Sequence, residues 1–189
     1  MNNALLLIDL QKDYFPGGRM ELKGSLKAVA EAKKILNHFR EEKWTVIHIQ
    51  HLSVRPGATF FIPETDGVEI HAQVHPRPGE TVIHKAFPNS FRNTDLLDFL
   101  KKEEISHLVL AGMMTHMCLE ATARAAFDLG FQCTVVHDAC ATRGLAFGGV
   151  VVPASQVQAA FLAALGSVYA KIVSAEDYIL GLSSERQVN

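Results

Sequence analysis

Three side chains that could act together on a carbonyl carbon stand where apolar runs give way to polar residues. Asp9 directly follows Leu5-Leu6-Leu7-Ile8, Lys85 follows Thr81 to His84, and Cys118 closes the segment that begins at Gly112. A thiol reacts as its thiolate, and its ordinary pKa near ~8.5 falls when a helix start or an ammonium lies beside it. Cys118 is expected in the first turn of a helix, where unpaired N–H groups and the positive end of the macrodipole favour the thiolate. Asp9 would be partly desolvated, which raises a carboxyl pKa unless a cation compensates, and this suits a proton shuttle. Each residue also has a plainer reading: Cys118 as a small hydrophobe in a buried helix, Asp9 as a loop cap, Lys85 as a solvated strand-end cation. Asp138 is expected to tie down its neighbouring turn through backbone N–H groups, and Cys133 and Cys140 to be structural.

The elements that must position these residues can be read from hydrophobic period. Short runs rich in Val, Ile and Leu recur at Ala4 to Ile8, Trp44 to Ile49, Thr81 to Ile83, His107 to Ala111, Gln132 to Val136 and Tyr169 to Val173. Continuous apolar runs of this length indicate strands buried on both faces, as in a parallel sheet. Between them lie helical stripes. From Ser25, expected as an N-cap, Val29, Ala32, Leu36 and Phe39 share one face; further helices are expected from about Asn93 to Lys102, Met117 to Gly130 and Pro153 to Leu165. Alternating strands and helices imply one domain over 1–189, a three-layer α/β, Rossmann-like domain with a mostly parallel central sheet and helices on both faces. In such a sheet ligands bind beyond the carboxyl ends of the strands, where Asp9, Lys85 and Cys118 all fall. The stretch His51 to Glu80 fits neither period and carries four prolines, so it is expected to wall a pocket; Thr142 to Val152 is expected as a Gly-rich apolar loop.

Composition excludes several function classes. A formal charge of −2 with scattered basic residues argues against nucleic acid as a partner. The apolar runs are too short to span a membrane, and no signal peptide is expected. Three cysteines in a core-rich chain point to a reduced, cytoplasmic setting rather than a disulfide framework.

The words around these residues resemble the isochorismatase-like hydrolases, relatives of nicotinamidases and N-carbamoylsarcosine amidases. Asp9-Leu10-Gln11-Lys12-Asp13-Tyr14-Phe15 resembles their D-x-Q-x-D-F opening, Val68-Glu69-Ile70-His71 their A-E-I-H segment, and His84-Lys85 with Ser90-Phe91 their lysine strand and trailing aromatic. The run from Gly112 to Ala126 is similar to their nucleophile loop and helix, and Asp138-Ala139-Cys140-Ala141-Thr142 to their D-A-x-A-T turn. The match covers roughly residues 4 to 175 in order and spacing. The resemblance implies Cys118 as nucleophile, Asp9 as its base, Lys85 as the residue that orients the acid, and a cis peptide between Met113 and Met114 that lets the N–H groups of Met114 and Cys118 form an oxyanion hole.

Within that family, the cysteine favours hydrolysis of an amide-type C–N bond through a thioester, on a small amide, carbamoyl or ureido substrate, whereas true isochorismatases resembling this chain carry glycine at this place. No cofactor and no metal are expected: nicotinamidases hold a metal with an Asp-x-His pair where this chain has His51-Leu52-Ser53, and His48 and His51 point to opposite faces of a strand. His71 matches a ligand position but stands alone. Tyr14, Phe60, Phe61 and Phe87 are expected as pocket walls, with Asn89 and His116 as polar contacts to substrate. The alternatives are a metal-dependent nicotinamidase with unusual ligands and a catalytically silent binding domain on the same fold. A homodimer or homotetramer is expected, both because relatives resembling the chain commonly are and because Leu145 to Val152 and the helix around Ala159 to Ala164 offer apolar surface.

Overall fold

The computed structural model describes residues 2–186, and side chains through residue 181. Six strands form one parallel sheet: β1 (Asn3–Ile8), β2 (Thr45–His51), β3 (Thr81–Lys85), β4 (His107–Met113), β5 (Gln132–Ala141) and β8 (Lys171–Val173), in the spatial order β3-β2-β1-β4-β5-β8. A short antiparallel hairpin, β6 (Leu145–Phe147) and β7 (Val150–Val152), stands apart from it. The order reverses between β1 and β4, so the crevice of an open α/β sheet falls at the ends of these two strands.

Period-two alternation along β1 divides the core. Leu5 and Leu7 face a layer built by α1 (Ser25–Glu41) and α5 (Ala175–Arg186), with Val29, Ala32, Leu36, Phe39 and Tyr178 buried there. Ala4, Leu6 and Ile8 face the opposite layer of α2 (Leu96–Lys102), α3 (Glu120–Asp128) and α4 (Ala154–Val168), through Leu100, Ala123, Ala126 and Leu165. Each fully buried leucine of this kind stabilises by about 1.5–3 kcal/mol, and the two-sided burial is why these strands read as continuous apolar runs.

Several expectations change in detail. Ser25 is the first helical residue, and Gly24 occupies the cap with φ 86°, a left-handed conformation that costs glycine nothing. The strand expected to end at Val136 continues as β5 to Ala141, so Asp138 to Ala141 is strand rather than turn; a register shift opposite Leu110 to Gly112 absorbs the extra residues. The expected loop from Thr142 to Val152 contains the β6–β7 hairpin, whose Val-rich arms pair with each other around Gly148-Gly149. A further helix, α5, follows the last strand. Asp138 does not tie its own turn: its Oδ1 accepts from the N–H of Ala175, 2.9 Å away, at the start of α5. Among the described residues no helix is long and apolar enough to cross a membrane.

Candidate active site

Asp9 is the residue after β1, fully buried, with φ 53°. This left-handed conformation is uncommon outside glycine and tolerated best by Asp and Asn; here the Asp9 N–H is held by the Ile49 carbonyl at 3.0 Å. Across β2, Lys85 ends β3, and its Nζ donates to Asp9 Oδ2 at 2.8 Å and to the Phe87 carbonyl at 3.1 Å. Both side chains of this pair are excluded from solvent. Burial works against the ammonium, but the charges of Asp9 and Cys118 and its hydrogen bonds to both hold the Lys85 pKa above its usual value. The other carboxylate oxygen, Asp9 Oδ1, is buried without an N–H or O–H partner among the described residues.

Cys118 completes the group. β4 passes directly against β1 at Gly112, whose φ of 135° and contact with the Ile8 backbone leave no room for a Cβ. The chain then makes a cis peptide between Met113 and Met114 and a π-helical turn, Thr115–Leu119, before α3. Such turns recur at functional sites because they re-aim a side chain. The turn is tied from outside: the Thr115 hydroxyl lies 2.7 Å from Gln158 Oε1, while Gln158 Nε2 donates to the carbonyls of His137 and Cys140. The Cys118 sulfur lies within 4.8 Å of an Asp9 carboxylate oxygen and of a His51 ring nitrogen.

The electrostatics correct one expectation. Burial first, and then the Asp9 carboxylate, push the Cys118 pKa well up, and the Lys85 ammonium offsets only part of this. The resting group is therefore a thiol beside a carboxylate acceptor, rather than a thiolate stabilised by a helix start. Burial likewise raises Tyr14, with Cys118 and Asp9 adding to it, so its hydroxyl stays protonated.

Above Cys118 opens a cavity of about 390 Å³, mostly apolar in its walls. Of the expected pocket residues, Tyr14, Phe60, Phe61 and Phe87 line it, with Met114 and Cys118 at its foot. Asn89 and His116 do not: Asn89 Oδ1 accepts from the Phe91 N–H at 2.9 Å, and His116 Nδ1 pairs with Thr142 Oγ1 at 2.5 Å beneath Phe161. The first is a local tie, and the second joins the turn before α3 to the residue after β5. The cavity instead takes Ser53, Val54 and Arg55 from the His51 to Glu80 stretch, and Arg143 from beyond β5.

Sequence reading missed how the opening motif works. Buried Gln11 donates to the carbonyls of His51 and Val68 and accepts from the His51 N–H; buried Asp13 accepts from the N–H groups of Phe61 and Arg19. The two residues thus hold the long loop against β1, and Asp13 seats the aromatic wall. The sequence offers His51 only as a metal ligand, yet its Nδ1 lies 3.1 Å from Lys85 Nζ. One ligand atom each from Asp9, His51 and Cys118 fall within 4.8 Å of one another, an O, N and S set that could hold a metal, with the Lys85 ammonium bonded to the first two residues.

Comparison with known proteins shows the family of the chain. The pattern described as an isochorismatase domain matches residues 3–177. The chain is 49% identical to the uncharacterized isochorismatase family protein YddQ of Bacillus subtilis over 95% of its own length and 99% of that protein's. It is 29% identical to the ureidoacrylate amidohydrolase RutB of Caulobacter segnis, covering 76% of this chain and 74% of that one. A crystal structure from Oleispira antarctica, assigned to the isochorismatase hydrolases, superposes with a TM-score of 0.92 at 46% identity over 95% of this chain and 96% of that one. A pattern running from β1 into the first turn of α5 takes in the whole sheet and every residue of the buried group, and the chain belongs to the isochorismatase family of hydrolases.

Proposed function

We propose that the protein hydrolyses an amide-type C–N bond of a small molecule through a thioester on Cys118, with Asp9 as proton shuttle and Lys85 as the cation that orients it. The observation that carries this is the solvent-excluded Asp9–Lys85 pair at 2.8 Å, with the sulfur of Cys118 within 4.8 Å of the Asp9 carboxylate at the foot of an apolar cavity. Asp9 Oδ2 is committed to the ammonium, which leaves Oδ1 to take the thiol proton as sulfur attacks the carbonyl carbon. The backbone N–H groups of Met114 and Cys118 stabilise the oxyanion. Collapse of the tetrahedral intermediate breaks the C–N bond, and the proton on Asp9 leaves with the ammonia or amine. A water molecule then gives its proton to Asp9 as it attacks the thioester, and that proton returns to the departing sulfur. The named amidohydrolase among the relatives supports an amide or ureido substrate, as does a cavity of this size and character.

A screen of small carboxamides, carbamoyl and ureido acids for ammonia release tests the reading. Wild type should turn over at least one of them, with or without EDTA, and Cys118→Ala should not. Release that survives in Cys118→Ala would rule out covalent thiol catalysis. Inhibition by EDTA that zinc or manganese reverses would transfer the assignment to a metal-dependent nicotinamidase.

A further inference from the structure

His51 is the last residue of β2, and none of the chemistry assigned to Asp9, Lys85 and Cys118 requires it. It is nevertheless placed with care. Fully buried Gln11 grips its backbone from both sides, donating to the His51 carbonyl at 2.9 Å and accepting from its N–H at 2.8 Å. The ring packs against Phe61, centroids 5.9 Å apart, and the residue lines the cavity.

An ammonium carries three donors and no acceptor. Lys85 directs them at Asp9 Oδ2, at the Phe87 carbonyl and at His51 Nδ1. Since Nζ can only donate, Nδ1 must offer its lone pair, and the proton of a neutral imidazole then resides on Nε2. The charged and titratable groups facing the ring are Asp9, Lys85, Arg55 and Cys118. Burial first, opposed by Asp9 and assisted by Lys85 and Arg55, brings the pKa of His51 down to about 4, so the neutral form prevails across the working range. Nε2 has no hydrogen-bond partner among the described residues.

We propose that His51 is a positioning residue of this site: its neutral ring is the third ligand of the Lys85 ammonium, holding that charge between Asp9 and Cys118, and the tautomer so imposed presents Nε2–H to the cavity. The ring is thereby a hydrogen-bond donor to whatever occupies the cavity and is excluded as a second base. Of the donors that would suit a zinc ion, the Asp9 oxygen and the His51 nitrogen serve an ammonium here. This rests on the cysteine-hydrolase reading above.

Two measurements on the full chain test it. The first is the rate of Cys118 alkylation by iodoacetamide, resolved from Cys133 and Cys140 by peptide mass, in wild type, His51→Asn and His51→Phe. Asparagine places an acceptor near the position of Nδ1, whereas phenylalanine keeps the ring and loses it. His51→Phe should react about tenfold more slowly at neutral pH, the effect of an unmet donor on a charged partner, and His51→Asn should stay within about threefold of wild type. Equal rates in all three proteins, or equal slowing in both variants, would overturn the proposal. The cysteine-hydrolase reading is tested separately by ammonia release from wild type and Cys118→Ala, so failure there condemns that reading and not only this one. The second measurement needs no variant that folds differently: long-range ¹H–¹⁵N correlation of histidine rings in wild type, with the His51 signal identified by its loss in His51→Asn. One ring in the Nε2–H tautomer, unchanged from about pH 8 to about pH 5.5, is expected. An Nδ1–H tautomer, or titration near the unperturbed ~6.5, would overturn it.

Discussion

A thiol that is 4% exposed and pressed against a carboxylate keeps its proton until a carbonyl arrives, so nucleophile and base work as one unit rather than as separate ionised groups. Cys118→Ala should therefore reduce turnover of an identified substrate to below about 1%, while leaving a cooperative thermal transition close to that of wild type. Lys85→Met behaves differently. It removes the partner of a fully buried carboxylate, and breaking such a pair costs about 3–5 kcal/mol, so urea denaturation should show a large loss of stability as well as a loss of activity. A variant as stable as wild type would mean that Asp9 is satisfied without the ammonium.

At the scale of elements, the site depends on how closely β4 approaches β1. Gly112 lies against the Ile8 backbone with φ 135°, and an added Cβ meets both a steric and a conformational barrier. Gly112→Ala should destabilise by about 3 kcal/mol or more and lower activity in the molecules that still fold, measured as a shifted urea midpoint and reduced ammonia release. A second device secures the far end of the long loop. Glu80 receives two hydrogen bonds from Arg40, on α1, one from the Arg77 N–H and one shared with His48 on β2. Burial opposes its charge, but these bonds outweigh burial and bring its pKa down to about 2, below the unfolded value of 4.5. A depressed folded-state pKa means stability that is fully present above about pH 4.5 and lost as pH falls towards about 2. The difference in urea midpoint between wild type and Glu80→Gln should accordingly be largest near neutral pH and shrink below about pH 4.5; a difference constant down to about pH 3 would show that the clamp is not electrostatic.

On the whole molecule, apolar side chains that no element covers gather on the β6–β7 hairpin: Phe147 is 90% exposed, Val151 74% and Val150 63%. Hairpins of three-residue arms have little stability of their own, and this one pairs with no strand of the main sheet. We propose that the hairpin is covered by another copy of the chain. Light scattering at micromolar concentration should give a multiple of 20.8 kDa, and Phe147→Glu should reduce it to the single-chain mass. A wild-type mass of 20.8 kDa would show that the exposed hairpin does not mediate self-association.

The six strands of the parallel sheet, helices α1 to α4 and the rim on which Asp9, Lys85 and Cys118 meet were legible in the sequence, because two-sided burial writes continuous apolar runs and strand ends mark where a sheet presents its polar residues; the β6–β7 hairpin and α5 were not. The protonation state of Cys118 was not legible: a helix start and an ammonium argue for a thiolate, and only the depth of burial and the contact with Asp9 reverse the balance. Nor could spacing show that Asn89 bonds within its own turn and His116 bonds Thr142, that Asp138 holds α5, or that Gln11 and Asp13 seat His51 and Phe61 from 40 and 48 residues away. Periodicity records which face a side chain turns to. Which partner it meets is settled when strands distant in the chain become neighbours in the sheet, and here that decided the role of His51, placed by Gln11 beside a lysine 34 residues further on.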